Sequence, residues 1–227
     1  EHEAFDDYID KSVIGTKALS CAKLTIKGSG NGIQVTTKNI SYCTTEMYQN
    51  ALATAGVKNA DVVVAGPIKL SGTAALLGVT NAYSKMTGKS LSAESVDAAA
   101  EEIAVTSDLG QETGDSEKAA QLIATVKEEV ADGNLSDDDI SNAIDEASDQ
   151  LDLDLTDDQK EQILALMKKL DNLNLDTDTL KEQAGKVYEE LENKGISLDI
   201  SKEDAENIFV KIVNWFKSLW DKLRGNN

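Results

Sequence analysis

Val62, Val63 and Val64 form an unbroken β-branched run with no polar alternation, the pattern of a strand inside a sheet and covered on both faces. Gly66-Pro67 interrupts the run. Proline has no ladder donor and glycine tolerates a sharp bend, so the chain is expected to leave the sheet there. Ser71 is read as the cap of the next helix, whose Ala74, Ala75, Leu76, Leu77, Val79, Ala82, Tyr83 and Met86 recur at helical spacing. Gly72, Ala74, Ala75 and Gly78 leave little side chain on that helix, which predicts close packing on the sheet.

Upstream, Phe5, Tyr8 and Ile9 allow a short amphipathic helix within residues 1–11. Residues 18–26 and 33–42 alternate apolar and polar positions around Gly28-Ser-Gly-Asn-Gly32, which reads as a hairpin with a glycine-rich tip. Thr44 or Thr45 then caps a helix carrying Tyr48, Ala51, Leu52 and Ala55, stopped by Gly56. With the valine strand this helix forms a crossover, right-handed if the strands it joins are parallel neighbours.

From Ser92 the pattern is helical throughout. Val96, Ala99, Ala100 and Ile103 mark one helix, and Leu122, Ile123, Val126 and Val130 mark another that Gly133 ends. Residues 106–115, with Gly110 and Gly114, are read as a linker between a first domain (1–108) and a second (115–227). Asn134-Leu-Ser136, Asp154-Leu-Thr156, Asp199-Ile-Ser201 and a divergent Asp176-Thr-Asp178 then each precede a helix, in a loose repeat. Thr156 with Gln159 is a full capping box, and Ser136 with Asp139 and Ser201 with Asp204 are weaker ones. The expected fold class is α+β: a small mixed sheet with flanking helices, followed by an all-α acidic bundle or short helical-repeat array.

The last predicted helix, over 201–223, differs from the others. Its apolar residues, Phe209, Trp215, Phe216 and Trp220 among them, cover an arc of about 160° opposite Lys211, Lys217 and Lys222. Three placements fit that pattern: the core, a membrane surface, or a partner protein. Core packing is favoured, because isolated exposure of so much apolar surface invites aggregation. No run of about twenty apolar residues is present, so no transmembrane helix is expected.

Charge sharpens the division of the chain. Residues 111–206 hold 9 lysines against 28 acids, while residues 207–227 hold 4 basic residues against 1 acid. A block this acidic repels phosphate backbones, so nucleic acid is not an expected partner. His2 is the single histidine and Arg224 the single arginine of the 227 residues, which leaves no Ser-His-Asp or Cys-His arrangement and no bidentate arginine clamp. No zinc site is expected from two cysteines. Calcium ligation and helix capping compete as explanations of Asp132, Asp137, Asp138, Asp152, Asp154, Asp157 and Asp158. An EF-hand begun at Asp152 has Asp157 where glycine is needed and Ile163 where the bidentate glutamate belongs. Acids in first helical turns complement the helix dipole without a ligand, so no metal and no cofactor are expected.

Two candidate chemistries remain. Lys69, Ser71, Gly72 and Thr73 surround a helix start that follows a strand, an arrangement suited to a small anion. The P-loop pattern is incomplete there, since no lysine follows Gly72. Cys21 and Cys43 flank the expected hairpin and form a candidate disulfide in an oxidising compartment. A turn centred near Gly30 nevertheless sets residue 21 opposite about residue 39, so a bulge would have to shift the second strand.

Ile14-Gly15-Thr16, Asn39-Ile40, Thr45-Glu-Met-Tyr48, Asn50-Ala-Leu52, Thr54-Ala-Gly56 and above all Ser71-Gly-Thr-Ala-Ala-Leu76 resemble the pattern of the YpuA-like family of uncharacterised secreted proteins of Gram-positive bacteria. The resemblance runs from about residue 14 to 109 and continues more loosely through the helical part. It implies an extracytoplasmic location, supplies no activity and no catalytic residues, and implies a strand-like segment before residue 1. Together with the start at Glu1, this gives the expectation that a leader or longer N-terminal piece has been removed. The leading functional expectation is a non-catalytic binding or cell-envelope-associated module with an unidentified protein or envelope partner. The rival is a small-anion receptor or enzyme centred on Ser71-Gly72-Thr73.

Overall fold

The computed structural model describes residues 2–131, 135–173 and 175–180, all within one compact unit, Glu1–Tyr188. Phe209, Trp215, Phe216 and Trp220 lie outside the described residues. Two short helices open the chain, α1 (His2–Phe5) and α2 (Lys11–Ile14). Strands β1 (Cys21–Ile26) and β2 (Ile33–Ile40), helix α3 (Thr45–Thr54), strand β3 (Ala60–Leu70) and helix α4 (Thr73–Thr87) complete an α+β half. Helices α5 (Ala93–Thr113), α6 (Ser116–Ala131), α7 (Asp137–Gln150) and α8 (Asp157–Asp171) follow and pack on one another as a bundle.

The three strands lie in the order β1-β3-β2. Strand β1 runs antiparallel to β3, with Cys21 opposite Ala65 and Ile26 opposite Ala60, and β2 runs parallel to β3, with Ile33 opposite Ala60. The expected hairpin is therefore absent: β1 and β2 are the two edges and β3 separates them. Alternation assigns each strand a buried face but no partner. Placing the valine run in the middle pairs its backbone on both sides, where an edge position would leave a sticky apolar strand open.

Helix α3 packs against β2 and α4 against β1, and Tyr48, Leu52, Leu76 and Val79 share one core with Val62 and Val64. Val63 is 42% exposed. The sheet is thus covered on one face, not two as the valine run suggested. Close packing of α4 comes from Ala75 and Leu76, while Gly78 and Met86 are exposed.

The ladder breaks after Ala65, as Gly66-Pro67 indicated, yet β3 continues and pairs again at Leu70 with Ile40. Between these pairs one residue of β2, Asn39, thus opposes four of β3, a pronounced bulge. Asn39, at φ 58°, donates its side-chain amide to the Gly66 carbonyl at 2.9 Å and braces it.

The segment read as a linker is helical as far as Thr113. A Cβ on Gly110 would lie 2.6 Å from the Ser116 Cα, so this glycine lets the start of α6 approach α5, and Gly114, at φ 78°, caps α5. Two of the three described helix starts of the acidic repeat are full capping boxes, Ser136 with Asp139 and Thr156 with Gln159. At the third, the Asp176 carboxylate accepts from the Thr179 backbone N–H at 2.8 Å, pairs with Lys58, and is held down at a pKa of about 2 by those contacts. Leu180 joins the core of the α+β half.

Candidate functional site

The start of α4 lies where three segments meet: the chain after α2, the end of β2 and the far side of the β3 bulge. Between them is an open groove of about 350 Å³, lined by Lys17, Ser20, Ser41, Lys69, Ser71 and Gly72 among others. Its charged lining residues are Lys17 and Lys69, and neither makes an ion pair with a described residue. A second cleft of about 310 Å³ shares Val13, Ser41 and Ser71 with the first, and is otherwise lined by Tyr42, Ser107, Gln111 and Ser116.

Of the four residues expected at an anion site, Lys69, Ser71 and Gly72 line the groove and Thr73 is fully buried behind it. Ser71 is not the cap. The N-cap is Gly72, at φ 96° with no side-chain hydrogen bond, and the Ser71 hydroxyl lies 3.2 Å from that of Thr73. Lys17 was not expected there, because its neighbours Ala18 and Leu19 read as the approach to β1.

Around the second cleft the Ser107 hydroxyl donates to the Tyr42 carbonyl at 3.4 Å, and Gln111 donates to the Ser107 carbonyl at 3.3 Å. The Tyr42 hydroxyl donates to Asp108 at 3.3 Å. Burial pushes the Tyr42 pKa up and the Asp108 carboxylate adds to it. Asp108 is likewise raised, by desolvation and by the nearby Glu112 carboxylate, against the lowering effect of the Tyr42 hydrogen bond.

A separate buried cluster escaped the sequence reading. Lys127 of α6 is 2% exposed and Glu102 of α5 is 1% exposed. The Lys127 ammonium donates to Glu102 at 2.6 Å, to the Asn50 carbonyl at 2.9 Å and to the Thr54 hydroxyl at 3.0 Å, which uses all three of its protons. Thr54 in turn donates to the other oxygen of Glu102. Desolvation drives the Lys127 pKa down, against the opposing pull of Glu102. No cleft reaches this cluster in the two grooves described, and it ties α3, α5 and α6 together. The available signal was a lysine on the apolar stripe of α6, four residues after Ile123.

No disulfide joins the two cysteines: Cys21 is exposed on β1 and Cys43 is buried before α3. Because β3 lies between the two edges, Cys21 faces Ala65 and its thiol lies 3.4 Å from the Ala65 carbonyl, and the candidate disulfide is not formed in this structure. Among the described residues, no three His, Cys, Asp or Glu side chains gather as a metal site, and no helix is long and apolar enough to cross a membrane.

Comparison with known proteins agrees with the resemblance carried by residues 14–109. The chain is 43% identical over 178 residues to the uncharacterized protein YpuA of Bacillus subtilis (strain 168), an alignment covering 78% of this chain and 61% of that relative. The chain thus spans about three fifths of the relative's length. No solved structure matches. Residues 1–187 match the family described as protein of unknown function, DUF1002, and the chain belongs to that family.

Proposed function

We propose that this chain is a non-catalytic extracytoplasmic binding module, and that the groove at the start of α4 takes a small anion. One observation carries the reading: in a chain of net charge -19, the charged residues lining this groove are two lysines. A concavity of this size, mixing apolar wall with a few convergent polar groups, is the usual form of a small-ligand site. Among the described residues the lining has hydroxyls but no imidazole, thiol or carboxylate to act as a base, which supports binding over turnover. The extracytoplasmic location and an envelope partner rest on the family resemblance. Recovery of the full-length protein from the cytosol of fractionated cells would count against that location.

Calorimetric titration with inorganic phosphate tests the groove. Binding is expected in the intact chain and its loss in the Lys17→Ala/Lys69→Ala double variant. Equal heats in both proteins would overturn the assignment.

A further inference from the structure

Resting on the anion reading above, we propose that the ligand is a sugar phosphate lying across both clefts, with its phosphate between Lys17 and Lys69 and its hydroxylated body in the second cleft. The two clefts share Val13, Ser41 and Ser71 in their walls, so they adjoin and a molecule longer than phosphate can occupy both. The head end matches by charge. A phosphate monoester carries roughly -1.5 to -2 at neutral pH, close to the charge of two ammonium groups, whereas a carboxylate would leave one lysine uncompensated. Lysine also binds phosphate as a point charge, while planar carboxylates are the better match for an arginine fork, and this groove has none.

The body end matches by hydrogen-bonding type. Beyond Ser71 the lining turns to Ser107, Gln111, Ser116 and Tyr42, with no ammonium or carboxylate among the described lining side chains. The Ser116 hydroxyl makes no hydrogen bond to another described residue, and Gln111 spends one amide proton on the Ser107 carbonyl, leaving its own carbonyl and second proton open. Groups that both donate and accept are what a row of sugar hydroxyls requires. Apolar or purely anionic ligands would leave them unpaired on binding.

The test is calorimetric titration of the intact chain with glucose 6-phosphate, inorganic phosphate and glucose in turn, repeated with Gln111→Ala/Ser116→Ala and with Lys17→Ala/Lys69→Ala. These four side chains are surface groups of the clefts, and circular dichroism verifies that the variants fold. Glucose 6-phosphate is expected to bind at least about tenfold tighter than inorganic phosphate, the equivalent of one or two net hydrogen bonds. The Gln111→Ala/Ser116→Ala variant should lose that advantage and keep its phosphate affinity. Equal affinities for the two phosphates would overturn the sugar-phosphate assignment and leave the anion reading standing. Failure of both to bind, or glucose binding as tightly as its phosphate, would overturn both.

Discussion

The Tyr48 hydroxyl of α3 donates to the Gly72 carbonyl at 2.5 Å, so the helix that carries the core also fixes the backbone at the floor of the groove. Gly72 is at φ 96°, and a Cβ there would lie 2.4 Å from the Tyr48 hydroxyl and 2.6 Å from Ile40 Cγ2. Backbone strain and overpacking act together, so Gly72→Ala is expected to cost about 2–4 kcal/mol in urea unfolding. Tyr48→Phe should cost about 0.5–1.5 kcal/mol, the net worth of one hydrogen bond, because the Gly72 carbonyl keeps the Ala75 N–H at 2.9 Å. The double variant should cost less than the sum, because removing the hydroxyl relieves part of the clash. Strict additivity would refute the contact.

Ser71 and Thr44 offer a direct contrast. Thr44 caps α3, accepting from the Met47 N–H at 3.3 Å, whereas Ser71 caps nothing. Thr44→Ala should therefore lower stability by about 1 kcal/mol, and Ser71→Ala should stay within about 0.5 kcal/mol. Thermal melts of the two variants decide it. Comparable losses would show that Ser71 carries a structural bond after all.

Removing one partner of the buried Lys127–Glu102 pair strands a charge with no water. Lys127→Met is expected to cost about 3–5 kcal/mol, and Lys127→Met/Glu102→Leu to recover most of it. A double-mutant cycle measures this. If the double variant is as unstable as the single, hydrogen bonds to Asn50 and Thr54, rather than charge, hold the three helices.

Gly110→Ala should cost about 1–3 kcal/mol, because its new Cβ meets the Ser116 backbone, which cannot swing aside. A flexible linker would absorb the same change. Unaltered denaturation midpoints would restore the linker reading of residues 106–115.

Asp176 supplies the pH dependence. Lys58 and the Thr179 amide hold its carboxyl down at about 2, below its ordinary 3.8. Its contribution is therefore complete above about pH 4 and disappears as pH falls from there through 2. An NMR titration should show the Thr179 amide and the Asp176 carboxyl shifting together in that window, and a midpoint near 3.8 would mean that the pair does not form.

What could be read in advance follows the physics of each signal. Capping boxes at Ser136 and Thr156, the stop at Gly56 and the strand at Val62 are local, and local rules find them. The partner of β1 is a long-range choice made by burying β3, which no pattern around Cys21 or Ile33 encodes. Half of the proposed site was legible, because Lys69, Ser71 and Gly72 are neighbours in sequence. Lys17 arrives from the chain after α2, Gln111 from the last turn of α5 and Ser116 from the start of α6. Glycine misled at Gly110, where it serves close approach inside structure rather than freedom between structures, while at Gly72 close approach is what the small residues around it predicted.

The strand order also sets a hierarchy of motion. Residues 60–65 of β3 have partners on both flanks, whereas β1 and β2 each have one partner strand among the described residues. An amide in the middle of β3 is released to solvent only when a ladder and the helices over it open together, while those on the outer rims of β1 and β2 need no such event. Deuterium should therefore enter the sheet from its rims, and Val62 and Val64 should be the last of its amides to exchange.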